Sequence, residues 1–152
     1  MSLPVLLGTL CTSCFQTRPL PTVEFKSVED GKLIESTIDA EYDEIMSGMN
    51  PRILCTFIHV CSSCTNAKIE LQRYAQDNHI NIYYIYVDGA FSGEEIRKLV
   101  EISTYGDPSE QYKINPAHID VPTLYLFRSD ILFLAFNDAF TSNLNRFVKV
   151  VD

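Results

Sequence analysis

The sequence predicts an α/β domain, a central mixed sheet of four to five strands with helices on both faces. Three observations lead there. Two continuous apolar runs, Ile53 to Ile58 and Ile82 to Val87, have the length and the β-branched and aromatic content of strands buried on both faces. Segments of helical period follow each run, first through Ala67, Lys68, Leu71, Tyr74 and Ala75, then through Ile96, Leu99, Val100 and Ser103. Two further apolar runs, Val121 to Phe127 and Ile131 to Phe136, are joined by Arg128-Ser129-Asp130, a connection of hairpin length. Strands linked through a helix pair in parallel with a right-handed crossover, whereas a hairpin pairs antiparallel, so the sheet is mixed.

The bulk properties bound what such a domain can do. The chain has 152 residues, a one-domain length, with 46% hydrophobic and 21% charged residues. Its formal net charge is −8, and Arg52, Lys68, Arg73, Arg97 and Lys98 are scattered among acids. No basic block is available to neutralise phosphates, so a nucleic-acid partner is not expected. No run of about 18 apolar residues is present, so no membrane span is expected. The apolar stretch Leu3 to Leu10 is short and lacks a basic region before it, and Leu10 rather than a small residue precedes Cys11. It reads as neither a signal peptide nor a lipoprotein signal, which makes the cytoplasm the expected compartment.

In chain order, residues 1–22 form an extension with Pro4, Pro19 and Pro21 and no clear period, and residues 23–152 form the domain. Thr22 to Thr37 holds two short strands, for which Asp30-Gly31 supplies a hairpin turn. Asp39 then caps a short helix through Tyr42, Ile45 and Met46, ended by Gly48 and Pro51. The first buried strand, its helix, the second buried strand ending at Asp88-Gly89, and the helix from Gly93 to Thr104 come next. Tyr105 to Asp120 is polar and contains Pro108 and Pro116, hence a loop. After the hairpin, Thr141 to Val151 closes the domain as a helix with Leu144, Phe147, Val148 and Val151 inward.

The five cysteines are Cys11, Cys14, Cys55, Cys61 and Cys64. An odd count with two C-x-x-C pairs points to redox or metal chemistry rather than to a disulfide-stapled secreted domain. Cys61-Ser62-Ser63-Cys64 directly follows a buried strand and opens a helix. A helix N-terminus presents unpaired N–H groups and a partial positive charge, which favour a thiolate over a thiol. Cys61 is thus placed to attack, and Cys64, one turn in, to resolve a mixed disulfide. The hydroxyls of Ser62 and Ser63 can cap the helix or donate to the thiolate.

From about Leu33 onward the chain resembles the thioredoxin superfamily, on the strand before Cys61, the Cys61-to-Cys64 motif, and Val121-Pro122-Thr123-Leu124-Tyr125-Leu126-Phe127. The resemblance implies a thioredoxin-like fold. It also implies a cis peptide bond at Pro122 and a Val121 backbone that pairs with extended substrate peptides. A strand-opening proline of ordinary kind is the plainer reading of Pro122. The departures are equally specific. Thioredoxins carry Trp where this chain has Val60, and their Gly-Pro dipeptide is here Ser62-Ser63. Their buried acid, six residues before the first cysteine, is replaced by Cys55. Cys55 reads either as a small buried hydrophobe or as a thiol beneath Cys64 that carries protons. His59, two residues before Cys61, reads either as a solvent-facing strand end or as a cation that stabilises the thiolate.

Cys11-Thr12-Ser13-Cys14 repeats the spacing without flanking strand or helix signals. A tetrahedral zinc site from both pairs needs them closer in sequence, with about 12–20 residues between them, so no metal is expected. Incidental cysteines, a local disulfide and a pair that exchanges electrons with Cys61 and Cys64 all stay open. Asp43 with Glu44, Glu94 with Glu95, and Asp88 read as solvated faces and helix starts, and Tyr83, Tyr84 and Tyr86 as sheet cover. The expected function is thiol–disulfide exchange on protein substrates, with a reductase or small thiol as electron donor and no cofactor. A binding module of the same fold is the alternative, favoured by the missing acid, Trp and Gly-Pro.

Overall fold

The computed structural model describes residues 21–107, 109–115, 120–129 and 131–152. The expected extension falls almost wholly outside the described residues, and its Cys11–Cys14 pair wholly so. Among the described residues, seven strands and four helices follow one another: β1 (Val23–Lys26), β2 (Leu33–Glu35), α1 (Ile38–Ser47), β3 (Arg52–Phe57), α2 (Ser62–Asn78), β4 (Ile82–Tyr86), α3 (Gly93–Thr104), β5 (Thr123–Phe127), β6 (Leu132–Phe136), α4 (Phe140–Phe147) and β7 (Val148–Val151). Five strands form one mixed sheet in the order β2-β4-β3-β5-β6. β4 is parallel to β2 and β3, and β5 is antiparallel to β3 and β6.

The sheet is covered on both faces, which is why β3 from Ile53 onward and all of β5 are buried and mostly apolar. Alternation along β3 sends Ile53, Cys55 and Phe57 to one side, where they pack with Ala67, Leu71 and Ala75 of α2 and Leu144 of α4. Leu54 goes to the other side, with Ile45 of α1 and Leu99 and Ile102 of α3. Local signals agree with these elements. Ser92 and Glu95 form a reciprocal capping box at the start of α3. Gly48 ends α1 at φ 64°, in the left-handed region that a residue without Cβ enters freely.

Three expectations are corrected. β1 and β2 are strands but not a hairpin: β1 pairs in parallel with β7, and β2 joins the main sheet beside β4. Gly31 is needed for close approach, since a Cβ there would collide with the Ala75 and Ile80 carbonyl oxygens. The adjoining backbone is drawn to β4 and α2 as Lys32 N–H donates to Asn81 Oδ1 (3.2 Å) and Leu33 N–H to Gln72 Oε1 (2.9 Å). The last helix stops at Phe147, and the valines after it become β7 because β1 offers an unpaired edge and β-branched side chains suit a strand. The cap of α1 is Thr37, whose Oγ1 accepts from Ala40 N–H at 3.1 Å. Asp39 lies within the first turn and pairs with Lys98 at 2.8 Å.

Candidate active site

The site is built where β3 hands over to α2. After Phe57 the chain leaves the sheet through Ile58, His59 and Val60 and turns into the helix at Cys61. Cys61 is the N-cap: its backbone is extended, and its Sγ accepts from Cys64 N–H at 3.1 Å. A sulfur thus does the work that a serine or aspartate oxygen does at other helix starts. The first turn of α2 carries no acidic side chain, so its positive end is not offset locally. Ser63 Oγ lies 3.3 Å from Cys61 Sγ, whereas Ser62 is exposed and opens the helix.

Cys61 and Cys64 are joined in a disulfide, with their Cα atoms 5.2 Å apart. Their exposure differs in the way exchange chemistry uses: Cys61 is half-buried, while Cys64 is 2% exposed. Val60, just before Cys61, is 93% exposed, an apolar side chain beside the more accessible sulfur.

The second wall comes from the approach to β5. Thr123 lies opposite Thr56 in the β3–β5 ladder, so residues before Thr123 emerge at the sheet end where β3 leads to Cys61. The Val121–Pro122 peptide bond is cis. Pro122 is buried and Val121 half-buried, and Val121 packs against both core clusters. Thr123 Oγ1 donates to the Asp120 carbonyl at 2.7 Å, and Thr56 Oγ1 donates to the Thr123 carbonyl at 3.3 Å, which ties the two strand ends together.

Cys55 is wholly buried in the same core cluster as Cys64. Burial pushes its thiol far up from the ordinary value, against a smaller opposing effect from the Thr56 backbone N–H. Cys55 is a free cysteine, not part of the disulfide.

His59 is largely solvent-facing, with 64% of its side chain exposed, yet it is held by three contacts. Its backbone N–H donates to Asp88 Oδ2 at 2.9 Å, and its Nδ1 lies 2.9 Å from Asp88 Oδ1. Its ring stacks on Tyr86 at 3.8 Å between centroids. The Asp88 carboxyl is held below the usual range, first by the His59 backbone N–H and then by the ring hydrogen bond, despite some burial. An ionised carboxylate only accepts, so in this contact Nδ1 is the donor.

Asp88, Tyr86 and Lys68 are the residues that sequence reading missed. Lys68 donates to the Tyr86 hydroxyl, and its ammonium lies 4.8–5.6 Å from the ring centroids of Tyr86, Tyr84 and Phe57. The available signals were weak: alternation of Tyr84 with Tyr86, and the four-residue step from Cys64 to Lys68. Among the described residues no cluster of three or more His, Cys, Asp or Glu side chains is placed to hold a metal ion. No described helix is long and apolar enough to cross a membrane.

No protein-family model matches the chain, and no curated protein matches it in sequence. Solved structures do match. Thioredoxin f from spinach chloroplast, in its short form, is 14% identical with a TM-score of 0.52, covering 76% of this chain and 89% of its own. Thioredoxin O2 from Arabidopsis thaliana in the oxidized state is 14% identical with a TM-score of 0.53, covering 81% of this chain and 100% of its own. A chain of the complex between ferredoxin:thioredoxin reductase and thioredoxin f2 is 10% identical with a TM-score of 0.51, covering 78% and 93%. At these identities the likeness is one of fold.

Proposed function

We propose that this chain, whose fold is that of the thioredoxin superfamily, is a thiol–disulfide oxidoreductase acting on protein disulfides through Cys61 and Cys64. The observation that carries the reading is the disulfide at the N-terminus of α2, with one sulfur half-exposed and the other buried one turn behind it. In the reduced chain, the Cys61 thiolate attacks one sulfur of a substrate disulfide, and the other substrate sulfur leaves as a thiolate and takes a proton. Cys64, having lost its proton, then attacks Cys61 Sγ in the mixed disulfide and releases the second substrate sulfur, which is protonated in turn. Two electrons and two protons pass from the dithiol to the substrate, and the Cys61–Cys64 disulfide remains.

The Cys64 N–H, the open end of the helix and the Ser63 hydroxyl all favour negative charge on Cys61. Val121 and Pro122, at the sheet end where β3 leads to Cys61, offer the surface on which an extended substrate segment pairs, with exposed Val60 adding apolar contact. Regeneration needs an outside donor, either a reductase or a small thiol; one structural neighbour belongs to a complex of that kind, between ferredoxin:thioredoxin reductase and thioredoxin f2. A reducing compartment such as the cytoplasm suits this direction of electron flow, and the chemistry calls for no cofactor.

Insulin reduction by the full chain, with dithiothreitol as donor, tests the reading. The parent protein is expected to accelerate insulin precipitation, Cys61→Ser to fall to the uncatalysed rate, and Cys64→Ser to accumulate a mixed disulfide. A parent rate equal to that of Cys61→Ser overturns the exchange reading in favour of a binding module. The replacement of a buried carboxyl by Cys55 is the feature that keeps this second reading in view.

A further inference from the structure

Lys68 is an unusual place for a charge. It sits on the sheet-facing side of α2, half-buried, with its ammonium over the rings of Phe57, Tyr84 and Tyr86. Positions 61, 64 and 68 follow the i, i+3, i+7 spacing of one helix face, so Lys68 continues the line of the two cysteines. Helical side chains lean toward the N-terminus, and the ammonium does reach that way. It donates to the hydroxyl of Tyr86, whose ring stacks on His59 in the segment leading to Cys61. A hydrogen bond and a ring stack thus connect Lys68 to the chain two residues before Cys61.

Resting on the exchange reading, we propose that Lys68 is a positioning residue that holds a fixed positive charge one helical turn beyond Cys64 and lowers the pH at which the reduced pair carries its thiolate. The aromatic cage stabilises the ammonium without neutralising it, since the rings offer quadrupoles and no opposing charge. The hydrogen bond to Tyr86 pushes the Lys68 pKa up, against the effect of burial, so the charge persists throughout the range in which thiols titrate. Partial burial makes the charge felt more strongly than it would be in open water.

Other charged groups face the cage. Glu35 of β2 accepts from the Tyr84 hydroxyl at 3.4 Å, and Asp88 lies beyond Tyr86, paired with His59. Both carboxylates oppose a thiolate. Lys68 occupies the helix that carries the sulfurs, whereas Glu35 stands across Tyr84 and Asp88 already engages His59. This arrangement supplies by a lysine on the helix an electrostatic influence that the buried thiol at position 55 cannot.

The test is peptide-resolved alkylation of Cys61 by iodoacetamide in the reduced full chain, over roughly pH 4 to 9, together with the equilibrium of the pair against glutathione. Lys68→Met is expected to move the alkylation midpoint upward and slow the reaction near neutral pH by about three- to tenfold. It should also shift the glutathione equilibrium toward the disulfide by a similar factor, because the reduced form loses a stabilising charge. Lys68→Arg, which keeps the charge, should stay within about twofold of the parent. Coincident profiles for Lys68→Met and the parent overturn the proposal. Should Lys68→Met not fold, Lys68→Gln decides, since it removes the charge and keeps a polar side chain; an unmoved midpoint then overturns it. Failure of the exchange reading is separate: a parent inactive on insulin still has a Cys61 alkylation profile, which responds to Lys68 or does not.

Discussion

Two acid–base–aromatic groups stand at opposite ends of β3, built from similar parts. At the start of the strand, Arg52 pairs with Glu41 at 2.7 Å and lies over the Tyr83 ring at 3.4 Å. Past its end, His59 pairs with Asp88 at 2.9 Å and stacks on Tyr86 at 3.8 Å. The difference is in closure. Glu41 is wholly buried, and Ser36 Oγ donates to it at 2.6 Å while the guanidinium donates through Nε and Nη2. The His59–Asp88 pair is open to water on both partners. A closed, fully satisfied pair has nothing left to offer a substrate, whereas an open pair two residues before the half-buried Cys61 can respond to its surroundings. Similar charges therefore read as structure at one end and as part of a site at the other.

The largest effect is expected from breaking the closed pair. Glu41→Ala leaves a mostly buried guanidinium without its carboxylate, and removing one partner of such a pair costs about 3–5 kcal/mol. Urea unfolding should show this as a lower midpoint, with the exchange rate per folded molecule unchanged. A loss below about 1 kcal/mol, the usual worth of a surface pair, would mean that the two ends of β3 are energetically alike and that closure is not what separates them.

How much of this was legible depended on how local each signal is. The runs Ile53–Ile58 and Ile82–Val87 could be read as buried strands because a strand inside a sheet is apolar along its whole length. Cys61, Cys64 and Pro122 were legible because a short motif carries each of them. The pairing of β1 was not: Asp30-Gly31 looks like a turn from its neighbours alone, and the true partner of Val23 is Val148 at the far end of the chain. β7 was misread because Leu144, Phe147, Val148 and Val151 keep helical spacing, and periodicity does not separate a short strand from the last turn of a helix. The Glu41–Arg52 pair and the Lys68–Tyr86–His59–Asp88 chain each join separate elements, so the periodicity of no one element reveals them.

Cys55 lies on β3 between the two ends, and its substitution sharpens the comparison from the middle. Cys55→Ala removes one buried heavy atom, which by analogy with single-methylene deletions costs about 1 kcal/mol. A proton carrier must titrate near the working pH, and burial holds this thiol protonated well above it. The rate of insulin reduction and its pH profile should therefore match the parent. A slower rate with a displaced profile would instead make Cys55 a participant and extend the open, reactive end of β3 down into the core.

The smallest expected effect lies at the open pair itself. Asp88→Ala deletes the acceptor of both His59 bonds, yet exposed ion pairs contribute less than about 1 kcal/mol. The sign with pH follows from the lowered Asp88 pKa. A carboxyl whose folded pKa lies below its unfolded value of 3.8 contributes stability above that value and loses it as pH falls through the folded pKa. The stability difference between Asp88→Ala and the parent should thus be present at neutral pH and be lost in acid only as the pH falls through the lowered folded pKa. Asp88→Asn separates charge from anchoring, because its amide oxygen still accepts from the His59 backbone N–H. If Asp88→Asn exchanges disulfides like the parent while Asp88→Ala is slower, the carboxylate serves to hold the segment before Cys61. If both are equally slow, its charge matters more than its grip, and the open pair differs from the closed one in electrostatic role as well as in exposure.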